Sequence, residues 1–310
     1  MNGSVWFFGT GRFAARCLNE IVRAYPPALI ITQPPSVAGR GLKTKPSPVE
    51  ETATALGLPL RHSESVNRDE ELKAVFAATP PDVILVIDFG QKVGEPWLTG
   101  PRCGCINIHP SLLPLYRGAA PVQRAVIDGQ AETGVTLFRL VEKMDAGPVW
   151  LQGRATIGEY ETAGALLDRM AVLGSSLFVA HFDELLEGKA ALTPQDDAAA
   201  TVAPKIDKAE TRLDPDRPAR AVHDLVRGLQ PAPGAYFVFR GRRVKVVATR
   251  LSDAAAEAGT LFERGGAPHL ACAQGSVELV SVQPEGKKPM DGSAWLKGIR
   301  LEKGEAVDRP

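Results

Sequence analysis

Asn107 and His109 are the residues whose types and spacing most clearly allow chemistry. They alternate with Ile106 and Ile108 at the end of an apolar run, so both polar side chains point to one face of a β-strand. Asp145 follows a later apolar run. An amide, an imidazole and a carboxylate suit acyl transfer to an amine, because the substrate amine attacks and no Ser or Cys nucleophile is needed. A purely structural polar pair is the alternative that this spacing leaves open.

Each of these three side chains has a definable role in that chemistry. Asn107 can donate a hydrogen bond to the developing oxyanion, and losing such a donor costs roughly 10²–10³ in rate. His109 can accept the proton that leaves the nitrogen, which contributes roughly 10²–10⁴. Asp145 can orient His109 and balance the charge that the imidazole gains. Asn107, His109 and Asp145 are therefore catalytic candidates, and the structural polar pair stays open at this point.

Strands and helices alternate around these positions. Apolar runs predict strands at 5–8, 28–32, 58–60, 83–87, 104–108 and 135–140. Helical patterns occur at 12–23, 47–56, 68–78, 120–128 and 162–186. Segment 33–46 is rich in Pro and Gly and is expected to lack regular structure. The alternation predicts an α/β fold with an open, mostly parallel Rossmann-like sheet, which binds ligands at the carboxyl ends of its strands.

The pattern changes after residue 189. We predict a catalytic domain at 1–189, a linker rich in Ala, Pro, Asp and Thr at 190–204, and a C-terminal domain at 205–310. A helix at 217–229 precedes five short runs with turn signals between them. Runs at this spacing predict a small, OB-like β-barrel.

Charge is distributed unevenly although the 310 residues carry 36 Lys and Arg against 36 Asp and Glu. Residues 1–200 contain 18 basic and 22 acidic side chains, a net of −4, whereas residues 201–310 contain 18 and 14, a net of +4. Such asymmetry indicates a polyanionic partner for the basic part. A solvated basic face is the alternative.

The four cysteines predict neither a metal site nor a disulfide framework. They form no Cys-x-x-Cys pair, and no His cluster flanks them. Unpaired thiols suit a reducing compartment, so we expect a cytoplasmic protein. No run approaches the roughly 18 apolar residues of a membrane span, and we expect no membrane partner.

The segment from Gly9 to Ala14 fits the dinucleotide fingerprint G-x-G-x-x-A. The acidic residue expected about 20 positions later is missing, since no Asp or Glu lies between Glu20 and Glu50. A basic residue there could suit a 2′-phosphate, which keeps NADP as an alternative. We favour glycines that only permit a tight strand-to-helix turn.

Longer motifs around the catalytic candidates resemble the formyltetrahydrofolate-dependent formyltransferase family. They comprise Asn107-Ile108-His109-Pro110-Ser111-Leu112-Leu113-Pro114, Arg117-Gly118-Ala119-Ala120-Pro121 and Thr133-Gly134-Val135-Thr136. The resemblance places the family's catalytic Asn, His and Asp on Asn107, His109 and Asp145. It also implies that 10-formyltetrahydrofolate donates the formyl group without a metal. The folate-binding residues that it implies are Phe89, Gly90, Ser111, Leu112, Leu113 and Pro114, with Asp88 standing where a small residue is commoner.

Three further segments resemble the branch that formylates methionine charged on initiator tRNA. They are the loop from Gln33 to Pro48, Ala203-Pro204-Lys205-Ile206 and the stretch from Gln283 to Met290. The resemblance implies initiator tRNA and folate as partners, and neither DNA nor a membrane. The predicted tRNA-binding residues are Arg40, Lys43, Lys45, Lys205, Arg240, Arg242, Arg243 and Lys245.

Other acceptors remain open at this point. A sugar-amine formyltransferase would not need the basic barrel, and a formyltetrahydrofolate hydrolase would use the same three residues with water as acceptor. The segment from Val141 to Gly147 reads somewhat more like the sugar-amine enzymes, and Ala232 stands where the tRNA branch usually has Trp. A catalytically silent RNA-binding protein would have no use for Asn107, His109 and Asp145 together.

Overall fold

The computed structural model describes residues 3–38 and 43–309. The chain forms two compact units. The first contains Met1–Gly118, Gly134–Ala155 and Leu167–Val202, and the second contains Ala119–Thr133, Thr156–Leu166 and Ala203–Pro310. The second unit therefore takes two segments from the middle of the sequence.

A seven-stranded sheet forms the first unit. The strands in this part of the chain are β1 (Val5–Gly9), β2 (Leu29–Thr32), β3 (Ser36–Ala38), β4 (Lys43–Lys45), β5 (Leu60–His62), β6 (Val83–Ile87), β7 (Cys105–His109), β8 (Glu132–Arg139) and β9 (Val149–Thr156). The sheet order is β5-β2-β1-β6-β7-β8-β9. β1 pairs in parallel with β2 and β6, and β6 with β7, whereas β7 and β8 are antiparallel. The predicted open, mostly parallel α/β sheet is confirmed.

Most of the helices flank the strands where the apolar periodicity predicts them. They are α1 (Arg12–Ile21), α2 (Pro48–Ala55), α3 (Glu70–Ala78), α4 (Pro121–Ile127), α5 (Ala163–Leu186), α6 (Ala219–Gly228) and α7 (Gly292–Ile299). Short 3₁₀ helices occupy Val66–Arg68, Asp197–Ala199 and Ala209–Thr211. Ser47 begins α2 by accepting a hydrogen bond from the backbone N–H of Glu50, which satisfies a donor that the helix start leaves open. β9, α7 and the short strand at 290–291 were not predicted.

α5 corrects the prediction that no stretch approaches a membrane span. Its 24 residues include a window of mean hydropathy 1.4, which is long and apolar enough to cross a membrane. Its contacts are those of a core helix: Gly174 packs closely on Ile108 and Val135 of the sheet, and Phe178 contacts Trp150 of β9. A helix packed on a sheet is apolar for the same reason as a membrane helix, so composition alone does not separate the two.

Segment 33–46 also differs from its prediction. β3 and β4 pair in an antiparallel ladder, with Ser36 opposite Lys45. Regular structure therefore forms on both sides of residues 39–42, which lie outside the described part of the chain. Backbone pairing between β3 and β4 outweighed the weak strand propensity of their residues.

The second unit contains an antiparallel sheet. Its strands are β10 (Ala235–Phe239), β11 (Arg242–Ser252), β12 (Leu261–Arg264), β13 (Ala267–Ala271), β14 (Ser276–Pro284) and β15 (Met290–Asp291). The order is β10-β11-β14-β13-β12, with β15 on β14. Bridges from Asp308 to Val238 on β10 and from Ala306 to Thr260 beside β12 connect the two edges. The predicted C-terminal β-barrel is confirmed, with Phe237 and Trp295 in its core.

Candidate active site

Asn107 and His109 lie at the carboxyl end of β7, where Val86 pairs with Asn107 and Thr136 with His109. His109 is 6% exposed. The Oδ1 atom of Asn107 is buried and has no hydrogen-bond partner among the described residues. Leaving a buried amide oxygen unpaired is costly. Asn107 is therefore positioned to pair with a donor on a bound substrate.

The two ring nitrogens of His109 face different groups. Nε2 lies 3.0 Å from the carbonyl oxygen of Tyr116, and Nδ1 lies 3.8 Å from Oδ2 of Asp145. A carbonyl oxygen can only accept, so neutral His109 carries its proton on Nε2. Its Nδ1 lone pair is then available to take a proton beside the Asp145 carboxylate.

Asp145 reaches this position through an unusual backbone conformation. Its φ is +50°, in the left-handed region that residues other than glycine seldom adopt. Its Oδ2 atom accepts a hydrogen bond of 2.8 Å from the backbone N–H of Gly118. The structure therefore brings Asp145 beside His109.

The loop from Ser111 to Pro114 follows β7 and is fixed by hydrogen bonds. The hydroxyl of Thr136 donates to the carbonyl of Ser111 at 2.7 Å and accepts from the backbone N–H of Leu113 at 3.0 Å. Ser111 and Leu113 are buried, whereas Leu112 and Pro114 are partly exposed. Of the four predicted folate-binding residues here, Leu112 and Pro114 can offer side-chain surface to a ligand.

Phe89 and Gly90 follow the neighbouring strand β6. The Phe89 side chain is buried and its ring centroid lies 5.4 Å from that of Phe8, so it belongs to the core. Its carbonyl oxygen accepts from Thr10 Oγ1 and Gln33 Nε2, each at 3.0 Å. Gly90 is exposed with a φ of +74°. A ligand could contact Gly90 and the backbone of Phe89, but not the Phe89 ring.

Asp88 explains why the glycine-rich turn is no dinucleotide site. A Cβ atom on Gly11 would lie 1.8 Å from Oδ2 of Asp88, and this carboxylate accepts a hydrogen bond from the backbone N–H of Phe13 in the first turn of α1. The helix start that would bind a pyrophosphate already holds a carboxylate. Desolvation by the surrounding protein atoms raises the pKa of Asp88 to about 6. The hydrogen bond from the Phe13 N–H lowers this pKa and offsets part of the rise, and part of the Asp88 side chain remains exposed.

Sequence reasoning missed two residues that contact this site and lie after α5, at the end of the first unit. Gln195 donates to the backbone carbonyls of Asp145 and Gly147, and the Thr201 hydroxyl accepts from the backbone N–H of Tyr116. Both lie in the segment predicted as a linker. Its composition is that of a linker, and no spacing signal marks these contacts.

The predicted tRNA-binding residues differ in their surroundings. Arg40 and the side chain of Lys43 lie outside the described residues, while Lys45, Lys205 and Arg242 are exposed. Arg240 forms two hydrogen bonds with Glu305, at 2.8 and 2.6 Å.

Two basic residues share the outer face of β11. Arg243 and Lys245 alternate with buried Val244 and Val246, so they point outward together. The Arg243 guanidinium lies 3.9 Å from the centroid of the Tyr236 ring on β10. A cation stacked on an aromatic ring can also contact a nucleic-acid base or phosphate.

Thiol and metal chemistry receive no support from the described residues. All four cysteines are free and buried, and burial raises the pKa of Cys17 to about 12, which keeps that thiol protonated. The described part of the chain holds no group of three or more His, Cys, Asp or Glu residues placed to bind a metal ion.

A cavity of about 320 Å³ in the second unit is lined by Tyr160, His223 and Arg227. His223 bonds to Thr249 through Nδ1 and to the carbonyl oxygen of Glu159 through Nε2, and Arg227 pairs with a buried carboxylate. The buried polar side chains of the cavity, His223 and Arg227, already have partners and give no sign of a ligand.

Comparison with known proteins identifies the family. Residues 3–182 match the Formyl transferase model, and residues 205–300 match the model "Formyl transferase, C-terminal domain". A methionyl-tRNA formyltransferase of Methylobacterium nodulans is 42% identical and is matched over 97% of each chain. One of Paracoccus denitrificans is 40% identical over 96% of this chain and 98% of the relative.

Solved structures agree on the fold. An N-formyltransferase from Helicobacter canadensis, in complex with folinic acid and dTDP-3-aminofucose, aligns with a TM-score of 0.66 at 15% identity, over 91% of this chain and 99% of that chain. HypX from Aquifex aeolicus, in complex with tetrahydrofolic acid, aligns with a TM-score of 0.64 at 16% identity, over 100% of this chain and 51% of that chain. From the family models and the full-length relatives, we conclude that this chain belongs to the formyl transferase family.

Proposed function

We propose that this chain transfers the formyl group of 10-formyltetrahydrofolate to the amino group of methionine on initiator tRNA. The observation that carries the proposal is 40–42% identity, over nearly the full length, to methionyl-tRNA formyltransferases. The reaction prepares initiator tRNA for protein synthesis, which takes place in the cytoplasm. The side chains of the candidate site fit its chemistry.

His109 is proposed to remove the proton from the attacking amine. Its Nδ1 atom has a free lone pair while the Tyr116 carbonyl holds the proton on Nε2. The Asp145 carboxylate, 3.8 Å from Nδ1, balances the charge that His109 then gains. The same Nδ1 proton can return to the nitrogen of the leaving folate.

Asn107 is proposed to hold the reacting carbonyl. Its amide N–H₂ group can donate to the formyl oxygen as negative charge develops there. The unpaired Oδ1 atom can accept an N–H from the incoming amine. One amide would thereby contact both reactants at the carboxyl edge of the sheet.

The folate position is proposed from the loops beside β7. 10-Formyltetrahydrofolate, when bound, supplies an activated formyl group. The partly exposed Leu112 and Pro114 offer apolar surface, and Gly90 lets a ligand approach the backbone closely. We keep Phe89, Ser111 and Leu113 in the proposed pocket as backbone contacts.

The tRNA contacts are proposed for two sets of cations. Arg40, Lys43 and Lys45 belong to the segment around β3 and β4. The residues of the second unit are Lys205, Arg240, Arg242, Arg243 and Lys245. Exposed cations bind phosphates by displacing counterions, so this binding should weaken with salt.

A single assay separates the possible acceptors. The purified chain is incubated with 10-formyltetrahydrofolate and methionyl initiator tRNA, beside an amino-sugar nucleotide and a sample without acceptor. We expect formylated tRNA and no product in the other two. Formylation of the sugar alone would contradict the proposed acceptor, and formate release without an acceptor would indicate a hydrolase.

A further inference from the structure

The segment from Thr193 to Val202 is attached at both ends to the strands and loops that carry the site. At one end, Thr193 and Val149 of β9 exchange two backbone hydrogen bonds of 2.8 Å. At the other, the carbonyl of Thr201 accepts from the backbone N–H of Arg117 at 2.9 Å. The segment is therefore a fixed part of the first unit.

Gln195 uses both ends of its side-chain amide within this segment. Nε2 donates to the carbonyls of Asp145 and Gly147 at 2.9 and 2.7 Å. Oε1 accepts from Nη2 and Nε of Arg117 at 2.7 and 3.2 Å. One side chain thus ties the turn that carries Asp145 to the loop that follows the predicted folate-binding residues.

Arg117 extends this network. It is 9% exposed, and its Nη1 atom lies 2.8 Å from Oδ1 of Asp197, which also pairs with Lys143. A buried guanidinium needs partners for its donors, and Gln195 and Asp197 supply them. Arg117 therefore gives Gln195 a rigid support.

The two segments joined by Gln195 carry the two partners of His109. Tyr116 supplies the carbonyl at Nε2 and Asp145 the carboxylate near Nδ1. Both residues have left-handed backbones, with φ values of +59° and +50°. Residues other than glycine keep that conformation only where the surroundings enforce it. The hydrogen bonds of Gln195 and Thr201 are such restraints.

We propose that Gln195 is a positioning residue for formyl transfer, which fixes the turn of Asp145 against Arg117 and so keeps His109 between its two partners. The inference rests on the proposed function of His109. Gln195 reaches backbone carbonyls and Arg117 and need not touch either substrate. Its loss should therefore lower the rate of the chemical step and leave substrate binding unchanged.

Two variants separate the two ends of the amide. Gln195→Met keeps the length of the side chain and removes every hydrogen bond. Gln195→Glu keeps an acceptor for Arg117 and removes both donors to the carbonyls. We expect each to lower kcat about 10- to 100-fold, as small displacements of catalytic groups do, with KM for tRNA and folate within about twofold.

Gln230→Met is the matched control. Gln230 also donates its side-chain amide to a backbone carbonyl, that of Val246 in the second unit. We expect kcat within about twofold of wild type. Circular dichroism checks the fold of each variant, and if Gln195→Met fails to fold, Gln195→Glu decides the comparison because it preserves size and polarity.

A second measurement needs no turnover. The imidazole NMR signal of His109, assigned by its absence in His109→Ala, should shift in Gln195→Met and stay in place in Gln230→Met. Wild-type kcat in both Gln195 variants, a raised KM with unchanged kcat, or an unmoved His109 signal would overturn the inference. Failure of the wild-type chain to formylate tRNA would instead contradict the proposed function, and the NMR comparison would still test Gln195.

Discussion

The polar residues around His109 in the first unit and the basic residues of β11 in the second are held in opposite ways. His109 is buried, and each ring nitrogen faces a defined group. Arg242 and Arg243 are exposed and keep most of their hydration. A buried polar group needs fixed partners, whereas an exposed cation can remain in water until a phosphate arrives. The first arrangement suits chemistry and the second suits salt-dependent binding.

This contrast predicts the largest losses for the two polar residues at the end of β7. Replacing His109 by Ala should lower kcat roughly 10²–10⁴-fold, and Asn107→Ala roughly 10²–10³-fold. tRNA affinity, measured by filter binding, should stay near wild type. His181→Ala is the control, since this partly exposed histidine pairs only with Glu184 among the described residues. Near-normal turnover in either active-site variant would remove that residue from the mechanism.

The segment around β3 and β4 should act on tRNA alone. The double variant Arg40→Ala with Lys43→Ala is expected to raise KM for tRNA about tenfold through lost phosphate contacts. Turnover of a small amine acceptor should be unchanged, which steady-state kinetics with both acceptors will measure. Equal losses with the two acceptors would exclude a role in tRNA recognition.

The cations of β11 should have smaller effects that depend on their present partners. Arg243→Ala with Lys245→Ala should weaken tRNA binding severalfold and reduce the slope of log affinity against log salt by about two. Arg240→Ala should reduce the tRNA affinity and this slope less, because Arg240 is already paired with Glu305. Binding titrations at several salt concentrations test this order. A larger effect of Arg240→Ala would contradict the proposal that Arg243 and Lys245 contribute more to tRNA binding than Arg240 does.

Asp88 offers a pH-dependent test inside the first unit. Its folded pKa is about 6, above its ordinary value of 3.8, so the folded state binds the proton more tightly and stability falls as pH rises between these values. Asp88→Asn removes this cost and should stabilise the chain at pH 7.5 by about 1 kcal/mol, a figure reduced for partial exposure. Thermal unfolding should show the gain vanish near pH 4. A gain independent of pH would contradict this account.

The smallest effect is expected at an ion pair of the second unit. Hydrogen bonds from Arg124, and then from the backbone N–H of Asp207, lower the pKa of Glu210 to about 2. This stabilisation is complete above the ordinary value of 4.5 and is lost as pH falls towards 2. Glu210→Gln should reduce the free energy of unfolding by about 0.5–1 kcal/mol at pH 7, since the pair is partly exposed. Urea unfolding at pH 7 and pH 3 measures it, and an equal loss at both would exclude the ionic cause.

Secondary structure was predictable where the apolar pattern is long and regular, and β9 and α7 lack such a pattern. The run at 83–87 and the stripe of α5 follow directly from strand and helix periodicity. β3 and β4 were missed because backbone hydrogen bonds pair them and no apolar pattern in the sequence marks them. The apolar composition of α5 predicts a helix, but it does not tell whether protein or lipid surrounds that helix.

The catalytic candidates and the glycine-rich turn differ in how far sequence could resolve them. Alternation alone placed Asn107 and His109 on one face of β7. The role of Gly11 could not be predicted from its neighbours in sequence, because the side chain that fills the space beside it is that of Asp88, which follows strand β6. Likewise, the sequence did not show that the Phe89 ring lies in the core, because this depends on its packing against Phe8 of the neighbouring strand β1.

The sequence by itself determined the strand that carries Asn107 and His109, the α/β order, and the basic character of the C-terminal part. These follow from local periodicity and composition. Only the tertiary structure decided that Asp145 reaches His109, that Gln195 donates a hydrogen bond to the backbone carbonyl of Asp145 and that Arg240 already has a partner. Such contacts join residues 36 to 65 positions apart, and their formation depends on how packed elements meet and not on any short pattern of residues.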